Sequence, residues 1–168
     1  SIIKATFTDF ELIKGMMLKG LKEDPTAFSV NYEEYVNNGI DWWNSYISSY
    51  IFSSKDKMFL AFEGTQLVGM LGMAYDYKAR RQHTVTLVWF YVDSAFRGKG
   101  IGTKLLEESL KDAQNMKMLK ITILVNSLQE DAIKLYKKFG FEEHGRLVKE
   151  LKIGDIFVDT LFLEKFLD

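Results

Sequence analysis

The chain has no cysteine, one proline (Pro25) and two histidines, His83 and His144. Without cysteine there is no disulfide framework, no thiolate nucleophile and no Cys-based zinc site. So few histidines leave little material for a metal cluster, and no metal is expected. Neither charge sign is in excess: Lys plus Arg number 22 and Asp plus Glu 23, so no basic field points to a nucleic-acid partner. The apolar runs are too short to span a bilayer, and the opening "SIIKATFTDFELIK" has no signal-peptide core. A soluble, cytoplasmic protein with no membrane partner is expected. The lone proline and the lack of a Ser/Gly linker, a repeat or a low-complexity tract leave no boundary inside residues 1–168, which read as a single domain.

What is present is ordinary globular material. At 47% hydrophobic and 27% charged residues, 168 residues suffice to bury a sizeable core. "SIIKATF" reads as a short strand, and Thr8 or Asp9 as the N-cap of a helix over "FELIKGMMLKGLKED", with Leu12, Met16, Lys19 and Leu21 as an imperfect stripe. After "DPTAF", the segment "NYEEYVNNGIDWWNSYISSYI" carries one or two aromatic-rich helices. "KMFLAFE" and "QLVGMLGMAYDYKA" form a hairpin around Gly64-Thr65. "TVTLVWFYV" reads as a strand buried on both faces. Leu105, Leu106, Leu110 and Ala113 then oppose Glu107, Glu108, Lys111 and Asp112 on an amphipathic helix beginning near Gly102 or Thr103. "KITILV" is the next strand, "QEDAIKLYKKFGF" the next helix, and two long strands follow around Gly154-Asp155. The fold class is a mixed α/β (α+β) domain.

Between the central strand and its helix lies "RGKGIG", Arg97 to Gly102. A Walker A loop would need glycine where Asp93 stands and Ser or Thr after Gly98-Lys99, where Gly100 stands. A dinucleotide fingerprint would need its third glycine at Thr103 or Leu105, and an acid where the next strand ends at Asn126. Both patterns fail. A strand-to-helix loop of small residues still presents unpaired N–H groups and the positive end of a helix dipole, to which Arg97 and Lys99 add charge. It suits a pyrophosphate; the other reading is a glycine-rich turn with solvated cations.

The block from Val92 through Arg97-Gly98-Lys99-Gly100-Ile101-Gly102, read as Arg/Gln-x-x-Gly-x-Gly/Ala after a strand, resembles the acyl-CoA loop of the GNAT acetyltransferases. After the next strand comes the second family block, "AIKLYKKFGF" from Ala132 to Phe141, as Ala-x-x-Leu-Tyr-x-x-x-Gly-Phe. The strong resemblance covers about Thr84 to Phe141, and the element order extends it loosely over the chain. It implies a central, mostly antiparallel sheet with a splayed parallel strand pair and helices on both faces.

The resemblance further implies acetyl-CoA as cosubstrate. The pantetheine arm would pair with the backbone at Phe90, Tyr91 and Val92, and the pyrophosphate would lie on the amides of Arg97, Gly98, Lys99, Gly100, Ile101, Gly102 and Thr103. Tyr136 would be the general acid that protonates the leaving sulfur; as part of an apolar helical face it could equally be core. Gln129 stands where the family often has Asn, and its longer arm could make the same contact. Glu33 or Glu34 is the candidate base, unless both belong to a solvated helix face. Trp42, Trp43, Tyr46 and Tyr50 could wall an acceptor pocket or fill a core. The implied activity is N-acetylation of a small-molecule or peptide amine by direct attack in a ternary complex. The rival is a non-catalytic acyl-CoA sensor on the same fold. The long C-terminal strands offer an edge through which a homodimer could form.

Overall fold

The computed structural model describes residues 1–51 and 55–167. The elements are β1 (Ile2–Lys4), α1 (Phe10–Glu23), α2 (Tyr32–Val36), α3 (Ile40–Ile51), β2 (Lys57–Glu63), β3 (Gln66–Tyr75), β4 (Thr84–Val92), α4 (Ile101–Asn115), β5 (Lys120–Asn126), α5 (Glu130–Lys138), β6 (Glu142–Ile153) and β7 (Ile156–Phe166). One seven-stranded sheet runs in the order β1-β2-β3-β4-β5-β7-β6. Every pairing is antiparallel except β4 with β5. The mixed α/β class with helices on both faces is therefore as expected. Among the described residues, no helix is long and apolar enough to cross a membrane.

The sheet divides two cores, and strand alternation decides which residue serves which. In β2, Met58 and Leu60 face α1 and α3, whereas Phe59 and Ala61 face the α4 side. In β4 the alternation hides a change of face. Val85 and Leu87 belong to the α4 side, yet Trp89 and Tyr91, still two residues apart, belong to the α1–α3 side. The cause is a bulge. Met70 pairs with Tyr91 and Gly72 with Val88, so β4 carries one residue more than β3 over this stretch, and Trp89 takes φ +50°. Phe90 and Val92 are turned toward α4 as a result. Val88, Phe90 and Val92 stay half-buried because cavities border them, which corrects the expectation of a strand buried on both faces.

The other corrections are local. A 3-10 turn, Phe7–Asp9, precedes α1; Asp9 does stand at the α1 N-cap position, but its carboxylate accepts from the Thr6 amide at 2.7 Å. The buried stripe of α1 is Ile13, Met16, Met17, Gly20 and Leu21, while Leu12 is exposed. Helix α4 begins at Ile101, a residue or two earlier than expected. Asp112, assigned to the polar face of α4, is buried and accepts from the Lys4 and Lys57 ammonium groups at 2.6 and 2.5 Å. Burial alone would raise its pKa, but the two lysines outweigh that and hold the carboxyl below its usual range.

Candidate active site

The parallel ladder between β4 and β5 is short: Thr84 to Leu87 pair with Lys120 to Ile123. Beyond it the strands separate, and two adjoining cavities occupy the gap between them and the elements that follow. The first has a volume of about 720 Å³ and is lined by Phe90, Tyr91 and Val92 of β4, by the loop around Gly98 and Gly100, and by Gln129 and Leu135.

The loop conformation follows from its glycines. Gly98 and Gly100 have φ of +74° and +76°, the left-handed region that a side chain disfavours. A Cβ on either would meet nothing within 4 Å, so the outer face of the loop is open to the cavity. Gly102 serves closeness instead: a Cβ there would lie 3.3 Å from Phe90 Cζ, so the first turn of α4 rests against β4. Gly100 is the N-cap and offers no side chain, and the first helical bond runs from Lys104 N to Gly100 O at 3.1 Å. The N–H groups of Ile101, Gly102 and Thr103 thus have no helical acceptor, and all three residues line the cavity.

The charges around the loop are tied to the end of α1. Arg97 donates through Nε to the Val92 carbonyl at 3.0 Å, and its guanidinium meets Asp24 at 3.3 Å. Lys19 bonds Asp93 at 2.6 Å, and the Tyr91 hydroxyl donates to Glu23 at 2.9 Å. Burial would raise the Asp93 pKa, but Lys19 and the Ala95 amide lower it below the usual range. Of the sequence-predicted cofactor residues, Lys99 alone does not line the cavity; its ammonium lies 4.8 Å from the centre of the Phe96 ring.

The second cavity, of about 570 Å³, shares Ala27, Phe90, Gln129 and Ala132 with the first. Tyr136 lines it, 5% exposed, with the rings of Phe90 and Phe141 each 5.9 Å away. Burial pushes its phenol well above the ordinary value. Among the described residues no hydrogen bond holds its hydroxyl. Gln129 stands where the cavities meet, and its Nε2 donates to Thr26 Oγ1 at 3.2 Å. Asn126 also donates to the Thr26 carbonyl, so both amides brace the loop after α1 across the cleft.

The aromatic segment splits as adjacent side chains on a helix must. Trp43 is core, while Trp42 is partly exposed and stacks on Tyr46 at 4.8 Å. Tyr46 and Tyr50 do line the second cavity, with Tyr35 and Trp89. The Tyr46 hydroxyl accepts from Trp89 Nε1 at 3.0 Å, and the Tyr35 and Tyr50 hydroxyls approach it at 3.3 Å.

Glu33 and Glu34 are exposed on α2 and line neither cavity. Glu34 is engaged in a capping box: its amide donates to Asn31 Oδ1 at 3.0 Å and its carboxylate accepts from the Asn31 amide. The structure brings a different carboxylate to the second cavity, Glu150 of β6. Sequence reasoning missed it because nothing in "GRLVKELKI" marks an irregularity in the strand.

A family model described as "Acetyltransferase (GNAT) family" matches residues 19–141, the stretch that holds both cavities' central walls. The chain belongs to the GNAT acetyltransferase family. A spermine/spermidine N(1)-acetyltransferase of Bacillus subtilis is 34% identical over 94 residues, 52% of this chain and 60% of that protein. The chain spans between 24% and 61% of the curated relatives it matches. Among solved structures, a ribosomal-protein-alanine N-acetyltransferase from Brucella melitensis superposes with a TM-score of 0.84 at 22% identity, over 99% of both chains. A Salmonella typhimurium protein solved with its cofactor acetyl-CoA gives a TM-score of 0.78 at 18% identity over 100% of this chain and 94% of that one. These likenesses show that the GNAT fold extends over the whole described chain.

Proposed function

We propose that this GNAT chain transfers an acetyl group from acetyl-CoA to a primary amine, by direct attack with both substrates bound. The observation that carries the reading is the junction of the two cavities at Phe90, Gln129 and Ala132, with Tyr136 beside it. The first cavity has the features a CoA-type ligand needs. It has an open glycine loop, three N–H groups at a helix start without helical acceptors, and a β4 segment free of its parallel partner beyond Leu87.

When bound there, acetyl-CoA supplies an activated thioester. The backbone of Phe90, Tyr91 and Val92 pairs with the pantetheine arm, and a β4 amide polarises the carbonyl under attack. The amides of Ile101, Gly102 and Thr103 hold the pyrophosphate, with Arg97 near the loop. Tyr136 keeps its proton through the neutral range and gives it to the departing sulfur. The poor solvation that raises this phenol would raise a neighbouring thiol as well, so the proton transfer does not become prohibitive. Glu33 and Glu34 lie outside both cavities, and water at the cavity mouth takes the amine's proton in this scheme. An amine acceptor also accords with the name of the Bacillus subtilis relative.

The test is CoA release from acetyl-CoA across a panel of primary amines, with binding followed by melting temperature. Acetyl-CoA at a hundredfold over its Kd should stabilise the fold by about 2.7 kcal/mol, a shift of several degrees. A shift without CoA release from any amine would support a non-catalytic acyl-CoA sensor instead. No shift at millimolar acetyl-CoA would overturn both.

A further inference from the structure

We infer that Glu150 selects acceptors carrying a second positive charge besides the amine that is acetylated. The inference rests on the reading of the second cavity as the acceptor site. Its wall is rich in aromatic side chains, Tyr35, Tyr46, Tyr50, Trp89 and Tyr136, with neutral polar groups such as Asn126 and Gln129 among them, and among the described residues Glu150 is its one charged side chain.

The backbone puts that charge there by breaking the strand pattern. Leu147 pairs with Thr160 and Leu151 with Val158, so Val148, Lys149 and Glu150 stand opposite the single residue Asp159. In a regular strand Leu147, Lys149 and Leu151 would share the face toward Thr160, and Glu150 would point the other way. Lys149 instead takes φ +55°, and Leu147, Glu150 and Leu151 together line the cavity. The bulge exchanges a cation for an anion at the cavity wall.

Asp159 holds this arrangement: its carboxylate accepts from the Lys149 amide at 2.8 Å and from the Arg146 guanidinium at 3.2 Å. The neighbouring cations are engaged away from Glu150. Arg146 also binds Glu143 at 3.1 Å, and the Lys149 ammonium lies 5.9 Å from the centre of the Phe157 ring. Glu150 itself has no hydrogen bond or ion pair among the described residues. Glu150 is exposed, so it stands at the rim of the cavity, where an uncompensated carboxylate beside aromatic rings attracts ammonium or guanidinium groups and repels carboxylates. The acceptor class that fits is therefore an alkyl diamine or polyamine, reacting at one end near Tyr136 and held at the other by Glu150. A free amino acid, with its own carboxylate, fits poorly.

The experiment measures binding of α,ω-diaminoalkanes, of n-alkylamines of equal length and of an amino acid, by calorimetry, with and without CoA. The unmodified protein should bind the best diamine about two- to fivefold more tightly than the matching monoamine, the scale of an ion pair made by an exposed carboxylate. Glu150→Gln should bring that ratio close to one, and Glu150→Lys should favour the amino acid over the diamine. Equal ratios in the unmodified protein and Glu150→Gln overturn the inference. CoA binding and acetyl transfer are read separately by melting shift and CoA release. Failure of either would strike the reaction proposed above, while the diamine ratio would still decide the role of Glu150.

Discussion

Tyr136 is buried on an apolar helix face, and the same face would read as plain core in most helices. Its place between Phe90 and Phe141 satisfies that reading, yet its ring also borders the second cavity and its hydroxyl has no protein partner among the described residues. Removing the hydroxyl alone separates the two roles. Tyr136→Phe keeps the packing and should leave the melting temperature nearly unchanged, while turnover measured by CoA release falls about 10²-fold. Unchanged turnover would assign the residue to the core. The family block around "LYKKFGF" made this position readable in the sequence. Glu150 was not readable, because its direction depends on a bulge that no local residue type announces. Asp112 was misread for a related reason: its partners, Lys4 and Lys57, are far away in the chain, and only the folded sheet brings them to α4.

The order of helices and strands follows from turn residues and periodicity, and Gly64-Thr65 and Gly154-Asp155 mark their hairpins plainly. What the pattern conceals is the bulge in β4, since burial alternates through it without a break while the faces exchange. Glycine in β3 leaves room for it. A Cβ at Gly72 would come within 2.9 Å of Val88 Cγ2 and 3.2 Å of the Val88 carbonyl, immediately before the bulged residue. Gly72→Ala should therefore push β3 from β4 and destabilise the fold by about 1–3 kcal/mol, measured as a lower denaturant midpoint. The glycine loop answers to a different test. At Gly100, φ +76° strains any side chain, and the loop faces the first cavity. Gly100→Glu should abolish the melting shift given by acetyl-CoA, through blocked approach and like-charge repulsion. A retained shift would make the loop only a turn.

Over the whole molecule, carboxylate ion pairs between separate elements set an acid limb of stability, and buried phenols set an alkaline limb. Asp112 joins α4 to Lys4 of β1 and Lys57 of β2, Asp93 receives Lys19 of α1, and Glu164 of β7 receives Lys120 of β5. All three carboxyls are held below their usual range, Asp112 and Asp93 against the opposing effect of burial, and Glu164 chiefly by its Lys120 bond. A depressed carboxyl contributes stability that is complete above its unfolded pKa and disappears as pH falls through the folded value. The acid limb should therefore begin near about pH 4. Tyr46, Tyr75, Tyr91 and Tyr136 are shifted the other way, in each case mainly by burial. Their contribution is complete below the unfolded phenol pKa and is lost as pH rises toward the folded value, so the alkaline limb should begin near about pH 10. Melting temperature against pH should show a broad plateau with both limbs falling. Asp112→Asn keeps the shape of the side chain but removes its titration, and should make the acid limb shallower, while the alkaline limb, set mainly by burial of the phenols, moves far less. An acid limb unchanged in Asp112→Asn would mean that the lysine pair on β1 and β2 does not hold α4 to the sheet through this carboxylate.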